Sequence, residues 1–67
     1  MSVAKIIEIT ADSRESFEDA VQQGIARAEK SVENVRGAWV KSHKVEVENG
    51  RITAYRVDLK VTFVLND

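Results

Sequence analysis

Cysteine and proline are absent from this 67-residue chain, and glycine occurs three times. Without cysteine there is neither a disulfide framework nor a thiolate zinc site, and nothing ties the chain to an oxidising compartment. The longest apolar runs are only a few residues, too short for a membrane-spanning helix. The stretch from Met1 to Thr10 carries Lys5 and Glu8 and has no long apolar core, so it does not read as a secretory signal. The expected compartment is the cytoplasm. Neither sign of charge dominates: ten basic side chains meet eleven acidic ones, for a net charge of -1. A nucleic-acid module shows a basic surplus. Neither nucleic acid nor a membrane is therefore an expected partner. Apolar residues, at 43%, are too frequent for a disordered segment.

One short domain over residues 1–67 fits this length. Ordering it costs roughly 1.5 kcal/mol per residue, about 100 kcal/mol in all. Chains this small usually need a disulfide, a metal or a subunit contact to complete a core. Disulfides are excluded and no metal-ligand cluster is visible, so self-association is the expected staple.

Three patterns organise the chain. Residues 3–10, VAKIIEIT, are short and β-branched and predict a strand. Ser13 is a candidate N-cap, with Glu15 placed where the helix dipole favours negative charge. From Arg14 to about Asn34, Phe17, Val21, Ile25, Ala28 and Val32 recur at spacings of three and four, with Ala20 widening the stripe. This predicts an amphipathic helix of about five turns. Gly24 lies inside it, at a cost of about 1 kcal/mol against alanine, which a close approach of another backbone would explain.

Residues 38–65 read as a hairpin about Asn49-Gly50, since a type I′ turn needs positive φ at both central positions. An unbroken register pairs Glu48 with Arg51, Val45 with Ala54, His43 with Arg56, Lys41 with Asp58 and Trp39 with Lys60. It puts Ala38, Val40 and Ser42 on one side with Val57, Leu59, Val61, Phe63 and Leu65, facing the helix. Gly37, Trp39, Lys41, His43, Val45, Arg56, Asp58 and Lys60 take the other side. A bulge would move some of these by one residue. The order β-α-β-β with a helical crossover predicts an α+β fold with a three-stranded antiparallel sheet in the order 1-3-2. One helix covers one face of that sheet. The other, with Trp39 on it, is left open.

Catalytic machinery is thin. The one histidine, His43, has Asp58 nearby, but Ser42 points to the other side of the sheet, so no Ser-His-Asp set forms. One His is too few for zinc in a single copy. Calcium asks only for oxygens, and a symmetric assembly can bring carboxylates together, yet no D-x-D-x-D-G run exists. The three glycines are not clustered as a phosphate loop would need. Trp39 suits two roles, an anchor between subunits or a stacking surface for a ligand.

The chain resembles the dodecins. The features shared are the first strand VAKIIEIT, the helix start Ser13-Arg14-Glu15-Ser16-Phe17-Glu18-Asp19-Ala20, and the AxARAxK stretch in the helix. They continue through Val35-Arg36-Gly37-Ala38-Trp39-Val40, the Glu48-Asn49-Gly50-Arg51 turn and the ending YRVDLKVTFVL. The resemblance implies a sheet wrapped around its helix and a hollow homododecamer of cubic symmetry. It implies a non-enzymatic protein that binds, stores or buffers a small ligand between subunits. Many dodecins bind flavin (riboflavin or FMN), some hold coenzyme A, and some are described as calcium-binding.

The family's flavin residues transfer only in part. The position of the usual stacking tryptophan is Gly37 here, with Trp39 two residues on. The position of the glutamine that hydrogen-bonds the isoalloxazine edge is Arg56, and arginine donates but cannot accept. The ending about Tyr55, Arg56 and Val57 is similar to the branch described as calcium-binding. The expected binding residues are thus Trp39, Arg56, Gly37, His43 and Asp58, lining the space between subunits, with no catalytic residue. Flavin and calcium are the expected ligands, and an assembly with a cation or nothing in its cavities is the alternative, followed by a sheet that stacks nucleic-acid bases on Trp39 among Lys41, Lys44, Arg56 and Lys60.

Overall fold

Two serines three residues apart build the corner from which the fold starts. The computed structural model describes residues 3–65. Strand β1 runs Ala4–Ser13, three residues beyond the expected end at Thr10. Ser13, 6% exposed, closes it. Its hydroxyl donates to Asp19 Oδ2 at 2.5 Å and accepts from the backbone N–H of Glu15 at 2.9 Å. The cap itself is Ser16, not Ser13: its Oγ accepts from the Asp19 N–H at 3.0 Å. The Ser16-x-x-Asp19 spacing is a capping signature, three residues later than the first serine. Helix α1 therefore spans Phe17–Ala28, about 18 Å at 1.5 Å per residue.

The helix is shorter than the apolar period suggests. After Ala28 the backbone tightens, with Lys30 N–H to the Arg27 carbonyl at 3.2 Å and Ser31 N–H to the Ala28 carbonyl at 2.9 Å. Asn34 then takes φ 62°, the left-handed conformation that turns the chain into the next strand. Val32 continues the apolar spacing but belongs to this turn. Strand β2 covers Val35–Glu48 and strand β3 covers Arg51–Val64. Asn49 and Gly50 between them have φ 53° and 75°, as a type I′ turn requires.

The sheet order is β1-β3-β2, with both neighbouring pairs antiparallel. The helix lies over β1 and β3 and barely touches β2. Ala20, Ala28, Val57, Leu59 and Val61 form the buried core, with Ile7, Ile9 and Val21 packed against it. Gly24 is where α1 meets the sheet. A Cβ there would stand 3.0 Å from Leu59 Cδ1 and 3.1 Å from Ala11 Cβ, so side chains, rather than another backbone, demand the glycine. Val57, Leu59, Val61 and Phe63 are buried as the alternation predicts. Ala38 and Val40 sit opposite Val61 and Leu59 yet remain exposed, because the helix does not reach the β2 edge.

Bulges overturn the central part of the expected register. Glu48 faces Arg51 and Trp39 faces Lys60, as an unbroken hairpin predicts. Between them, Thr53 is an extra residue on β3 and Lys41 an extra residue on β2. Over the stretch enclosed by these two bulges, pairing is displaced by one. Val45 faces Tyr55, His43 faces Val57 and Ser42 faces Asp58. With a side-chain period of two, this moves His43 and Val45 to the helix face and Ser42 to the outer face. The His43 ring lies edge-on to Phe17, centroids 4.8 Å apart, and Phe17 stands likewise against Tyr55 at 5.1 Å.

Candidate functional site

The outer face of the sheet carries three polar rungs, each crossing β1, β3 and β2. They exist because β1 alternates from Ile7 to Asp12: Ile7, Ile9 and Ala11 face the helix, while Glu8, Thr10 and Asp12 face out. Opposite these last three stand Lys60, Asp58 and Arg56. The far positions are Trp39, Ser42 and Lys44.

In the first rung Glu8 Oε1 lies 3.9 Å from Lys60 Nζ and 3.3 Å from Lys41 Nζ, the side chain of the bulge residue. The Trp39 indole stands across from Lys60 and is 71% exposed. Gly37 lies one rung further, opposite Thr62, with nothing within 4 Å of where a Cβ would be.

In the second rung Asp58 is held between two hydroxyls. Ser42 Oγ donates to its Oδ2 at 2.7 Å and Thr10 Oγ1 to its Oδ1 at 2.9 Å. These two donors, Ser42 first, hold the carboxyl below its ordinary value.

The third rung is an ion-paired clamp. Arg56 Nε and Nη2 donate to the two Asp12 oxygens at 2.6 and 3.0 Å, and Nη1 lies 3.2 Å from Glu46 Oε1. The fork geometry of guanidinium and carboxylate makes this contact bidentate. It lowers the Asp12 pKa and raises that of Arg56. Within these rungs Lys41, Lys44, Lys60 and Arg56 are matched by Glu8, Asp12, Glu46 and Asp58, so the face carries charge of both signs in balance.

The five expected site residues are thus partly brought together. Arg56 and Asp58 are adjacent on the outer face and line a cleft of about 210 Å³ with Ser42, Lys44 and His43. That is below the roughly 300 Å³ at which small-molecule pockets begin. His43 reaches this cleft from the helix side of the β2 edge, where its ring meets Phe17. Trp39 and Gly37 lie on the same outer face but two rungs or more away from Arg56. Thr10, Asp12 and Glu8 fall outside the expected set, although the alternation of β1 carried to Ser13 points to them. An unbroken register puts Ser42 on the helix face, and only pairing geometry reveals the bulge that moves it outward.

The residues present do not fit the family's flavin pattern. Every Arg56 nitrogen already has a carboxylate partner, and the tryptophan position is Gly37. For a cation, no group of three His, Cys, Asp or Glu side chains converges among the described residues. No described helix is long and apolar enough to cross a membrane.

Comparison with known proteins agrees with this architecture. The family model for Dodecin matches residues 3–66. Calcium dodecin of Mycobacterium tuberculosis is 36% identical over 63 residues, 94% of this chain and 89% of that protein. The crystal structure of that calcium-chelating protein, with a calcium-binding site, superposes with a TM-score of 0.83 over 97% of this chain and 93% of that one. A Thermus thermophilus dodecin variant is 30% identical, covers both chains fully and gives a TM-score of 0.93. Dodecin from Streptomyces davaonensis gives 0.94 at 26% identity, covering 98% of this chain and 97% of its own.

Proposed function

The chain belongs to the dodecin family, and from there we propose that it is a non-enzymatic, shell-forming protein that binds or buffers a small ligand between its own copies, twelve in the closed particle. The observation that carries this reading is the surface a single copy leaves bare. Trp39, Val47 and Ile52 are 71%, 60% and 53% exposed, with Val3, Ile6 and Val40 also in water. The accessible area is 5179 Å², where a compact chain of 7.5 kDa shows about 4,200 Å². Copies closing over one another's sheets would remove that excess. The outer face, with Trp39, Arg56 and Asp58 on it, would then line the space between them.

Size-exclusion chromatography with multi-angle light scattering tests the assembly. Twelve chains of 7.5 kDa give a particle of about 90 kDa, and a monomer at micromolar concentration contradicts the proposal. A second reading, a shell that holds a divalent cation, is favoured by the 36% identity to calcium dodecin and by the carboxylates of the outer rungs. It expects calcium to raise the melting temperature and a chelator to lower it. If neither shifts the transition, the cation reading fails while the assembly reading stands.

A further inference from the structure

We propose that the Asp12–Arg56–Glu46 clamp sets the ligand class of the outer face, closing it to a neutral tricyclic ring of the isoalloxazine type. This deepens the reading above and rests on it, since the seat in question lies between copies. The argument begins with the inventory of Arg56. Its Nε, Nη1 and Nη2 each point at a carboxylate oxygen, at 2.6, 3.2 and 3.0 Å. The pyrimidine-like edge of isoalloxazine alternates carbonyl acceptors with a ring N–H donor. Arg56 has no acceptor to offer that N–H. Asp12 holds the fork through Nε and Nη2, and Glu46 stands beside Nη1, so what Arg56 presents to a ring is donors only, flanked by two carboxylates. A ring placed there would find no acceptor on Arg56 for its own N–H, and a site whose polar groups mismatch a ligand's discriminates strongly against it.

The second half of the argument is the room at Gly37. This residue shares the outer face, lies outside the positive-φ region and meets nothing within 4 Å at its Cβ position. A Cβ can be placed there without collision within one copy, so the packing of the single chain does not require the glycine. The closed element is the clamp.

The test is a riboflavin titration followed by flavin fluorescence, on wild type, Gly37→Trp, and Gly37→Trp combined with Arg56→Gln. Light scattering on each reports the assembly separately, so failure of the shell is distinguished from failure of the clamp idea. Wild type and Gly37→Trp are expected to leave the fluorescence unchanged at tens of micromolar protein. The double variant is expected to quench it, binding about tenfold or more tightly than Gly37→Trp alone. Should the charge left on Asp12 keep the double variant from assembling, adding Asp12→Asn removes it. Quenching by wild type, equal quenching by Gly37→Trp and the double variant, or no quenching by an assembled double or triple variant overturns the proposal.

Discussion

Gly24 shows how one missing side chain sets the distance between helix and sheet. A methyl group there would sit 3.0 Å from Leu59 Cδ1 and 3.1 Å from Ala11 Cβ. Alanine gains about 1 kcal/mol of helix propensity, while overpacking a core costs roughly 1–3 kcal/mol. Leu59 is fully buried and Ala11 Cβ cannot move without its backbone. Gly24→Ala is therefore expected to destabilise by about 1 kcal/mol, and thermal melts at matched concentration check it. An unchanged or higher melting temperature would show that the helix can lift without loss. Asp58 and Asp12 make a prediction about acid. Their folded pKa values lie below the ordinary carboxyl value, Asp58 through Ser42 and Thr10, Asp12 through Arg56. Folding favours the charged forms, so their contribution is complete above about pH 4 and is lost as pH falls through the folded values. Melting temperature is expected to drop as pH falls below about 4, and Asp58→Asn is expected to shallow that drop. Parallel slopes for wild type and variant would remove Asp58 from the account.

Among the elements, the start of α1 is the most local. Ser16 Oγ satisfies the Asp19 N–H, and its replacement by alanine is expected to cost about 1 kcal/mol. Ser13→Ala tests a different job. Ser13 donates to Asp19 and accepts from the Glu15 N–H at the end of β1, so its loss should loosen the corner as well as the helix. Hydrogen exchange separates the two. Ser16→Ala should speed exchange in the first helical turn only, and Ser13→Ala should also speed it at the β1 end. The hairpin is less local. Asn49-Gly50 determines how the strands leave the turn, but the bulge residues Lys41 and Thr53 decide which side chains face water.

The whole molecule is elongated, 51 × 19 × 14 Å, with a radius of gyration of 13.7 Å where a compact chain of this length has about 11 Å. The hairpin arm accounts for the length, and near its tip the facing pair Val47 and Ile52 stands exposed. Burying such side chains against a second copy is worth roughly 1.5–3 kcal/mol each. Val47→Asp with Ile52→Lys should leave the fold of one chain intact, because both residues already touch water. In an assembled particle the same change should lower the mass measured by light scattering and bring the melting temperature down by several degrees. A particle of unchanged mass and stability would show that the arm lies outside the contacts.

Element order, the helical stripe, the turn at Asn49-Gly50 and the buried row Val57, Leu59, Val61 and Phe63 were all legible residue by residue, because propensity, period and turn chemistry are local properties. The helix limits were not: Ser13 reads as the cap, and only its packing against Asp19 shows that Ser16 takes that place. The candidate site was legible as a face, with Trp39, Gly37, Arg56 and Asp58 on it, but not as a set of partners. Whether Ser42 or Lys41 stands opposite Asp58, and whether His43 looks out or in, depends on two bulges that no residue type announces. A bulge is a compromise between the pairing of whole strands, so it becomes visible only when the sheet has closed.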